Sequence, residues 1–297
     1  MAKIMGTIGE DLAKPELAEG LVKASKVLEG LIDANAYVGE VYSLGYDEAL
    51  VQIHDYHRQQ VGGIPALSFL TATRIKPGAL VDAREEDSSV ILLRVLDHAD
   101  LPNAQEALRV RVETAQRVSG EERSWDDRDV MDATTHHLLS YAGVRCRVLG
   151  TFYVADIGEG RLALSFGSDL SNYYPNRGLK VYKPRADVLA GIVNYRDPRT
   201  HTEEHEALVP VGEVRYASTN RPFQQIGDVR VSITPIDLLG QKTALFGMTR
   251  MGKSNTTKIV LESIVALRWA EPPLRIGQVV FDLDGEDASE NEQVDAS

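Results

Sequence analysis

The sequence contains a single cysteine, Cys146, among its 297 residues. One cysteine excludes an intrachain disulfide and a cysteine-based zinc site. No run of about 18 apolar residues occurs, so no segment is expected to span a membrane. The first six residues are too weakly apolar for a secretory signal. Together these absences predict a cytoplasmic protein.

Basic residues are also scarce, since 32 Lys and Arg face 44 Asp and Glu, a net charge of −12. That balance argues against a protein coated with basic patches for nucleic acid. It leaves open a ring with an acidic outside and a basic channel, because net charge describes the whole surface.

The length leaves room for about two domains. Residues 1–34 are predicted to be a helical segment, because Leu17, Leu21, Leu28 and Leu31 recur at helical spacing. Residues 35–195 are predicted to be a small β-barrel-like or sandwich domain with helical additions, because short apolar runs alternate there with turn residues. Residues 196–228 read as a linker and loop, and 229–297 as the first part of an α/β domain.

The elements predicted for the first domain are six strands and two helices. The strands are Tyr37–Tyr42, Glu48–Ile53, Ala66–Thr73, Val90–Leu96, Arg147–Val154 and Arg161–Phe166. The helices run from a cap at Asp126 or Asp127 to about Tyr141, and over Ala186–Val193. A further strand, Val229–Ile233, opens the second domain.

The strongest motif is the stretch Gly247-Met248-Thr249-Arg250-Met251-Gly252-Lys253-Ser254. It has the phosphate-loop form G-x-x-x-x-G-K-S, between an apolar run, Thr243–Phe246, and a helical pattern, Asn255–Trp269. Glycines and the helix start turn backbone N–H groups toward one anion. Lys253 is expected to reach the outer phosphates of ATP, and the Ser254 hydroxyl to ligate Mg²⁺. The other predicted nucleotide contacts are Gly247, Thr249, Arg250, Met251, Gly252 and Asn255.

A second motif follows 30 residues after Gly252, where the apolar run Val279–Phe281 leads into Asp282-Leu283-Asp284-Gly285-Glu286. Carboxylates at the end of a parallel strand face the ligand crevice and can hold Mg²⁺ or orient water. The alternative is a solvated acidic tail, because residues 282–297 carry seven acids and no base. The residues alone leave both open.

Other candidates are weaker. His54 with His57, or His136 with His137, could ligate a metal, but no acidic or cysteine partner has suitable spacing, so surface histidines are favoured. Tyr173 and Tyr174 with Arg177 and Lys180 could stack on nucleic acid bases. Two half-buried loop tyrosines are the preferred interpretation of that segment.

Two motifs together resemble the HerA branch of the HerA/FtsK ATPases, whose hallmarks are G-K-S-N-T followed by D-x-x-G-E. They are Gly252-Lys253-Ser254-Asn255-Thr256 and Asp282-Leu283-Asp284-Gly285-Glu286. The strand-rich first domain is similar, more loosely, to that family's N-terminal barrel. The resemblance implies a RecA-like ATPase domain and a hexameric, ATP-driven translocase or helicase on double-stranded DNA. Partners would be a nuclease in end processing, or a nuclease-type or sirtuin-like effector in antiphage defence.

Carried over from the family, Lys253 is the phosphate lysine, Ser254 the Mg²⁺ ligand, and Asp282 and Glu286 the acidic pair beside the nucleotide. Arg250-Met251 departs from the family's small Gly-Ser pair, and Asp287 stands where tyrosine is common. A second strand ending in Asp-Glu, an arginine finger and DNA-gripping loops are not found. The sequence is therefore expected to be the N-terminal, truncated part of a longer ATPase, inactive in hydrolysis alone.

A second hypothesis from another class is a non-motor ring scaffold, in which nucleotide is structural and an effector enzyme is organised around it. The acidic surface fits this hypothesis as well. A small P-loop kinase or GTPase is disfavoured, because such proteins have no reason to carry a long strand-rich region before the loop.

Overall fold

The computed structural model describes residues 22, 25–79, 81–82, 85–117, 133–158, 162–173, 175, 177–199, 208–217, 219, 221–239, 242–248, 252–269 and 273–281. These residues divide into two compact units. The first contains the described residues up to 199 together with Val214–Val229. The second contains the described residues 208–213 and those from 230 onward.

The first unit is built on seven antiparallel strands. They are β1 (Tyr37–Leu44), β2 (Glu48–His54), β3 (Phe69–Thr73), β4 (Ser89–Ala99), β5 (Tyr141–Asp156), β6 (Leu162–Gly167) and β7 (Lys180–Tyr182). Neighbouring strands follow the order β2-β1-β7-β3-β4-β5-β6. A further pairing of β2 with β5 closes six of them into a barrel, and β6 lies outside on β5. The predicted barrel-like domain is therefore confirmed.

The barrel interior is filled by alternate residues of each strand, as the twofold period of a strand requires. Val51 pairs with Val41 on one side and with Val144 on the other, while Leu70 pairs with Leu93. The members of this core that are fully inaccessible to solvent include Val38, Val51, Leu70, Ala72, Leu93, Cys146 and Val181. The close packing of β1 on β2 needs a glycine at Gly39, since a Cβ there would lie 1.9 Å from the Gln52 carbonyl oxygen.

One outer face of the barrel is covered by helices. Residues 25–29 are helical, and Leu28 and Leu31 are buried in a second core with Leu92 and Phe152. The part of the predicted N-terminal helix that carries Leu17 and Leu21 lies outside the described residues. The helix predicted at Ala186–Val193 is found with those bounds and also contributes to this core.

In chain order the helices of the first unit are α1 (Asp55–Gln60), α2 (Ala104–Arg117), α3 (Ala133–Leu139) and α4 (Ala186–Val193), with short 3-10 turns at Ala34–Ala36 and Pro222–Gln224. The predicted helix to Tyr141 ends earlier, because Tyr141 already belongs to β5, paired with His54. Its proposed caps, Asp126 and Asp127, lie outside the described residues. Helix α2 falls in a stretch that the sequence analysis did not assign to a helix.

A buried lysine ties α1 to the barrel. Lys183 follows β7 and is 0% exposed. Its ammonium group donates hydrogen bonds to the carbonyl oxygens of Val61 (2.9 Å) and Gly63 (2.8 Å), just after α1. Burial, with a smaller contribution from the positive charge of Arg185, lowers the pKa of Lys183 to about 8.

The second unit contains a hairpin of β8 (Val209–Glu213) and β9 (Arg230–Ile233), followed by α5 (Pro235–Leu239), α6 (Lys253–Ala266) and a 3-10 turn, Leu267–Trp269. The predicted strand before the glycine loop and the strand over 279–281 are not formed. Phe246 is 93% exposed and Phe281 is 90% exposed. A buried strand needs hydrogen-bonded neighbours, and the described residues place none beside either run. The predicted start of a RecA-like sheet is therefore not confirmed.

Candidate nucleotide-binding loop

The glycine-rich loop meets helix α6 at Gly252. This residue has φ of 85° and ψ of 13°, a left-handed conformation, and it is the N-cap of α6. A Cβ at this position would contact no atom within 4 Å, so the backbone angle, rather than crowding, favours glycine. The chain thereby turns sharply from the loop into the helix, as the sequence motif predicts.

Lys253, the first residue of α6, connects the two ends of the loop. Its ammonium group donates hydrogen bonds to the carbonyl oxygens of Gly247 (2.8 Å) and Met248 (3.0 Å). An ammonium group has three N–H donors, so this arrangement leaves one beyond the two loop carbonyls. The lysine therefore ties Gly247 and Met248 to the start of α6 and keeps its positive charge between them and the helix.

The first turn of α6 adds backbone donors to this charge. The first helical hydrogen bond of α6 runs from the Thr256 amide to the Gly252 carbonyl, at 3.0 Å. The amides of Lys253, Ser254 and Asn255 come before the first amide that has an acceptor within the helix, as at every helix start. Such amides and the helix dipole attract anions. With the lysine and the half-buried Ser254, this donor set fits the phosphates of a nucleotide and the hydroxyl ligand of its Mg²⁺.

Several predicted site residues cannot be placed. Thr249, Arg250 and Met251 of the loop lie outside the described residues, as do Asp282 and Glu286. The structure thus brings together Gly247, Gly252, Lys253, Ser254 and Asn255, and the roles assigned to these and to the other positions stay predictions. The carbonyl of Met248 is the one loop contact that the sequence analysis did not name. No sequence signal could have identified it, because every residue carries a carbonyl.

The apolar stripe predicted for the helix after the loop is only partly covered. Ile259, Val260, Ile264 and Val265 are all half-buried, and Ser263 is the one buried residue of α6 in the described chain. Near the end of the helix, Gln278 donates a hydrogen bond from Nε2 to the Leu261 carbonyl, at 3.1 Å. The segment over 273–281 therefore runs back along the helix without joining a sheet.

The histidines weighed as metal ligands lie in the first unit. The rings of His57 and His137 each have their centroids 5.9 Å from that of His54. Burial, followed by repulsion from His57 and His137, lowers the pKa of His54. Its Nδ1 accepts a hydrogen bond from the Tyr56 amide at 3.2 Å. The described residues contain no group of three or more His, Cys, Asp or Glu arranged to hold a metal ion.

The tyrosine segment differs from its preferred interpretation. Tyr173 is largely exposed instead of half-buried, and Tyr174 lies outside the described residues. Lys180, considered as part of that stacking surface, lies over a different ring, 5.7 Å from the centroid of Tyr37.

Among the helices that the structure describes, none has the length and apolar character needed to cross a lipid bilayer.

Comparison with known proteins gives one family. Residues 209–294 match the family model described as "Helicase HerA, central domain". No curated protein matches the chain. The matched segment begins at β8, the first strand of the second unit, and includes the glycine loop, Lys253 and the acidic motif. The resemblance drawn from the two motifs is thus confirmed over residues 209–294, the segment that this family model matches.

Proposed function

We propose that this chain is the ATP-binding part of a HerA-type, Mg²⁺-dependent ATPase that moves along double-stranded DNA. The observation that carries the proposal is the position of the Lys253 ammonium group. It lies within hydrogen-bond distance of two loop carbonyls at the start of α6, where a phosphate would receive both its charge and the helix amides. The family match over residues 209–294 supports the same assignment.

Each site residue has a defined task in this proposal. Lys253 donates to the outer phosphate oxygens, and the amides of Ser254 and Asn255 support the same anion. The Ser254 hydroxyl and the Asp282 carboxylate would hold Mg²⁺, which when bound neutralises charge on the transferring phosphate. Glu286 would act beside the nucleotide, as a general base or as the residue that orients water.

The barrel is the assembly module in this proposal. It has the well-packed core of the chain, whereas the second unit leaves large apolar side chains such as Phe246 and Phe281 exposed. We infer a hexameric ring whose barrels meet through heterologous faces, as ring closure by rotation requires. A nuclease or sirtuin-like effector would dock on this ring.

The exposed apolar runs also favour a second candidate, a ring scaffold that binds nucleotide without moving DNA. In the described part of the chain no strand lies beside residues 243–246 or 279–281, which gives the nucleotide little of the rigid support that hydrolysis needs. In that case the same loop would bind ATP, and DNA would leave turnover unchanged.

Steady-state ATP turnover by the complete protein, with and without double-stranded DNA, separates these candidates. The motor predicts Mg²⁺-dependent turnover that DNA stimulates and that Lys253→Ala abolishes. Lys258→Ala, on the same helix but beyond its first turn, is the matched control and should retain turnover. Nucleotide binding without DNA stimulation would favour the scaffold, and turnover that survives Lys253→Ala would refute both.

A further inference from the structure

A cavity of about 450 Å³ opens on the outside of the barrel, where β1, β2 and β5 meet α1 and α3. Six aromatic rings line it, three from tyrosine and three from histidine, and they are Tyr37, Tyr56, Tyr141, His54, His57 and His137. Cavities of this size, with aromatic walls and polar groups that fix the orientation of a ligand, are the usual form of a small-molecule site. The proposed ATPase function uses none of these residues.

The rings form a continuous series around the cavity. Tyr37 meets His57 edge to face with centroids 4.9 Å apart, and Tyr56 lies 5.4 Å from the same histidine. On the other side, Tyr141 is 4.9 Å from His54 and 5.2 Å from His137. Edge-to-face contacts fix each ring by its neighbours, so the walls are already arranged before a ligand enters. Walls of this kind bind planar ligands, because a flat ring can stack on the faces of aromatic side chains.

Two polar side chains at the cavity determine which hydrogen bonds the edge of a bound ring could make. Glu40 and Gln52 are directly opposite each other across β1 and β2. Glu40 is exposed and Gln52 is half-buried, so both side chains are accessible at the cavity. A carboxylate accepts only, whereas an amide both donates and accepts. This combination complements a ring edge that offers two adjacent N–H donors beside a carbonyl oxygen, as guanine does.

Positive charge lies next to the same cavity. Lys180 is the cross-strand partner of Glu40, and its ammonium group lies over the Tyr37 ring. Arg58 is nearby on α1, but Asp55 neutralises it through an ion pair of 2.7 Å. Lys180 therefore supplies a cation suited to a phosphate attached to the bound ring.

We propose that this cavity is a second binding site, separate from the glycine loop, that takes a guanine base. The base would stack between the tyrosine and histidine rings with its N–H edge toward Glu40. The same chemistry is available from a free guanine nucleotide or from a base turned out of a single nucleic acid strand. Lys180 would lie beside the phosphate in either case.

Equilibrium dialysis of radiolabelled guanosine, with adenosine as the comparison, tests the proposal. The dialysis uses the Lys253→Ala chain, so that nucleotide binding at the glycine loop does not contribute. Its result therefore tests the cavity even if the ATPase assignment is wrong. Tyr56 is 60% exposed, so Tyr56→Leu removes one wall without opening the core. Tyr56→Phe keeps the ring, and Tyr46→Leu removes a tyrosine of similar exposure, 62%, outside the cavity.

We expect guanosine to bind in preference to adenosine, with affinity about tenfold lower in Tyr56→Leu. Tyr56→Phe and Tyr46→Leu should stay within about twofold of the parent, and Glu40→Gln should remove the preference for guanosine. GMP and a thymine decamer with one central guanine distinguish the two sources of the base. Absence of saturable binding of all guanine ligands would overturn the proposal, as would equal binding of adenosine or an unchanged affinity in Tyr56→Leu.

Discussion

The buried Lys183 should make the stability of the barrel rise with pH, whereas a lysine whose pKa is raised by an ion pair would make it fall. The perturbation is Lys183→Met, which keeps the length of the side chain and removes its charge. In the folded chain the pKa of Lys183 is lowered from 10.5 to about 8, chiefly by burial. The unfolded chain therefore holds the lysine proton more tightly than the folded chain does.

The size of the effect follows from these two pKa values. Below pH 8 both states are protonated, and the cost of burying the charge is constant. Between pH 8 and 10.5 the folded state loses the proton first, so its stability rises with pH. Applying the linkage relation, the free energy of unfolding gains about 1 kcal/mol from Lys183 between pH 7 and pH 9.

Urea unfolding at pH 7, 8 and 9, followed by the near-ultraviolet circular dichroism of the barrel tyrosines, measures this gain. Other groups titrate in both proteins, so the relevant quantity is the difference between wild type and Lys183→Met at each pH. That difference should shift by about 1 kcal/mol in favour of the wild type from pH 7 to pH 9. The exposed Lys180→Met is the control for loss of a positive charge. A difference that stays constant over this range would refute the claim that burial lowers the pKa of Lys183.

Three further outcomes follow from the barrel core and its surface. Leu93→Ala removes a fully buried side chain and should lower the free energy of unfolding by about 2–5 kcal/mol in a urea titration. Leu108→Ala, at a position that is 59% exposed, should change it by less than about 0.5 kcal/mol, and equal effects would contradict the described core. Burial raises the pKa of the Cys146 thiol to about 12, so an aromatic disulfide reagent at pH 8 should label it only as fast as the barrel opens. Immediate labelling of the folded chain would place Cys146 outside the core.

Five of the six barrel strands could be predicted because their signal is local, whereas the three-residue strand β7 was not predicted. Val51 and Ile53 alternate with polar residues on β2, and Leu70 and Leu93 mark the inner faces of β3 and β4. Closure of the barrel could not be predicted in the same way. It depends on pairing between β2 and β5, which are separated by more than 80 residues, and no local pattern records that register.

Helix α2 was missed for a physical reason. It is rich in charged residues, and its apolar side chains Leu108 and Val112 are exposed, so no core-facing stripe marks the helix. The apolar run before the glycine loop shows the opposite error. Its composition predicts a buried strand, yet Phe246 is exposed because burial depends on neighbouring strands as well as on composition.

The two candidate sites differ in how much of them the sequence contains. Gly252, Lys253 and Ser254 are consecutive, so a motif can identify them, and the local turn and helix follow from the same residues. The aromatic cavity draws Tyr37, His57 and His137 from three distant parts of the chain. The histidines were noticed as pairs in the sequence, but only the barrel topology brings them to one cavity.

The central claim is that the loop before α6 binds ATP through Lys253. Equilibrium binding of a fluorescent ATP analogue to this chain, with and without Mg²⁺, tests it most directly. We predict saturable, Mg²⁺-enhanced binding that Lys253→Ala weakens by about tenfold or more, because a charge-assisted hydrogen bond to phosphate is lost. Lys258→Ala should leave the affinity unchanged. Equal affinity for the analogue in wild type and Lys253→Ala would contradict the account.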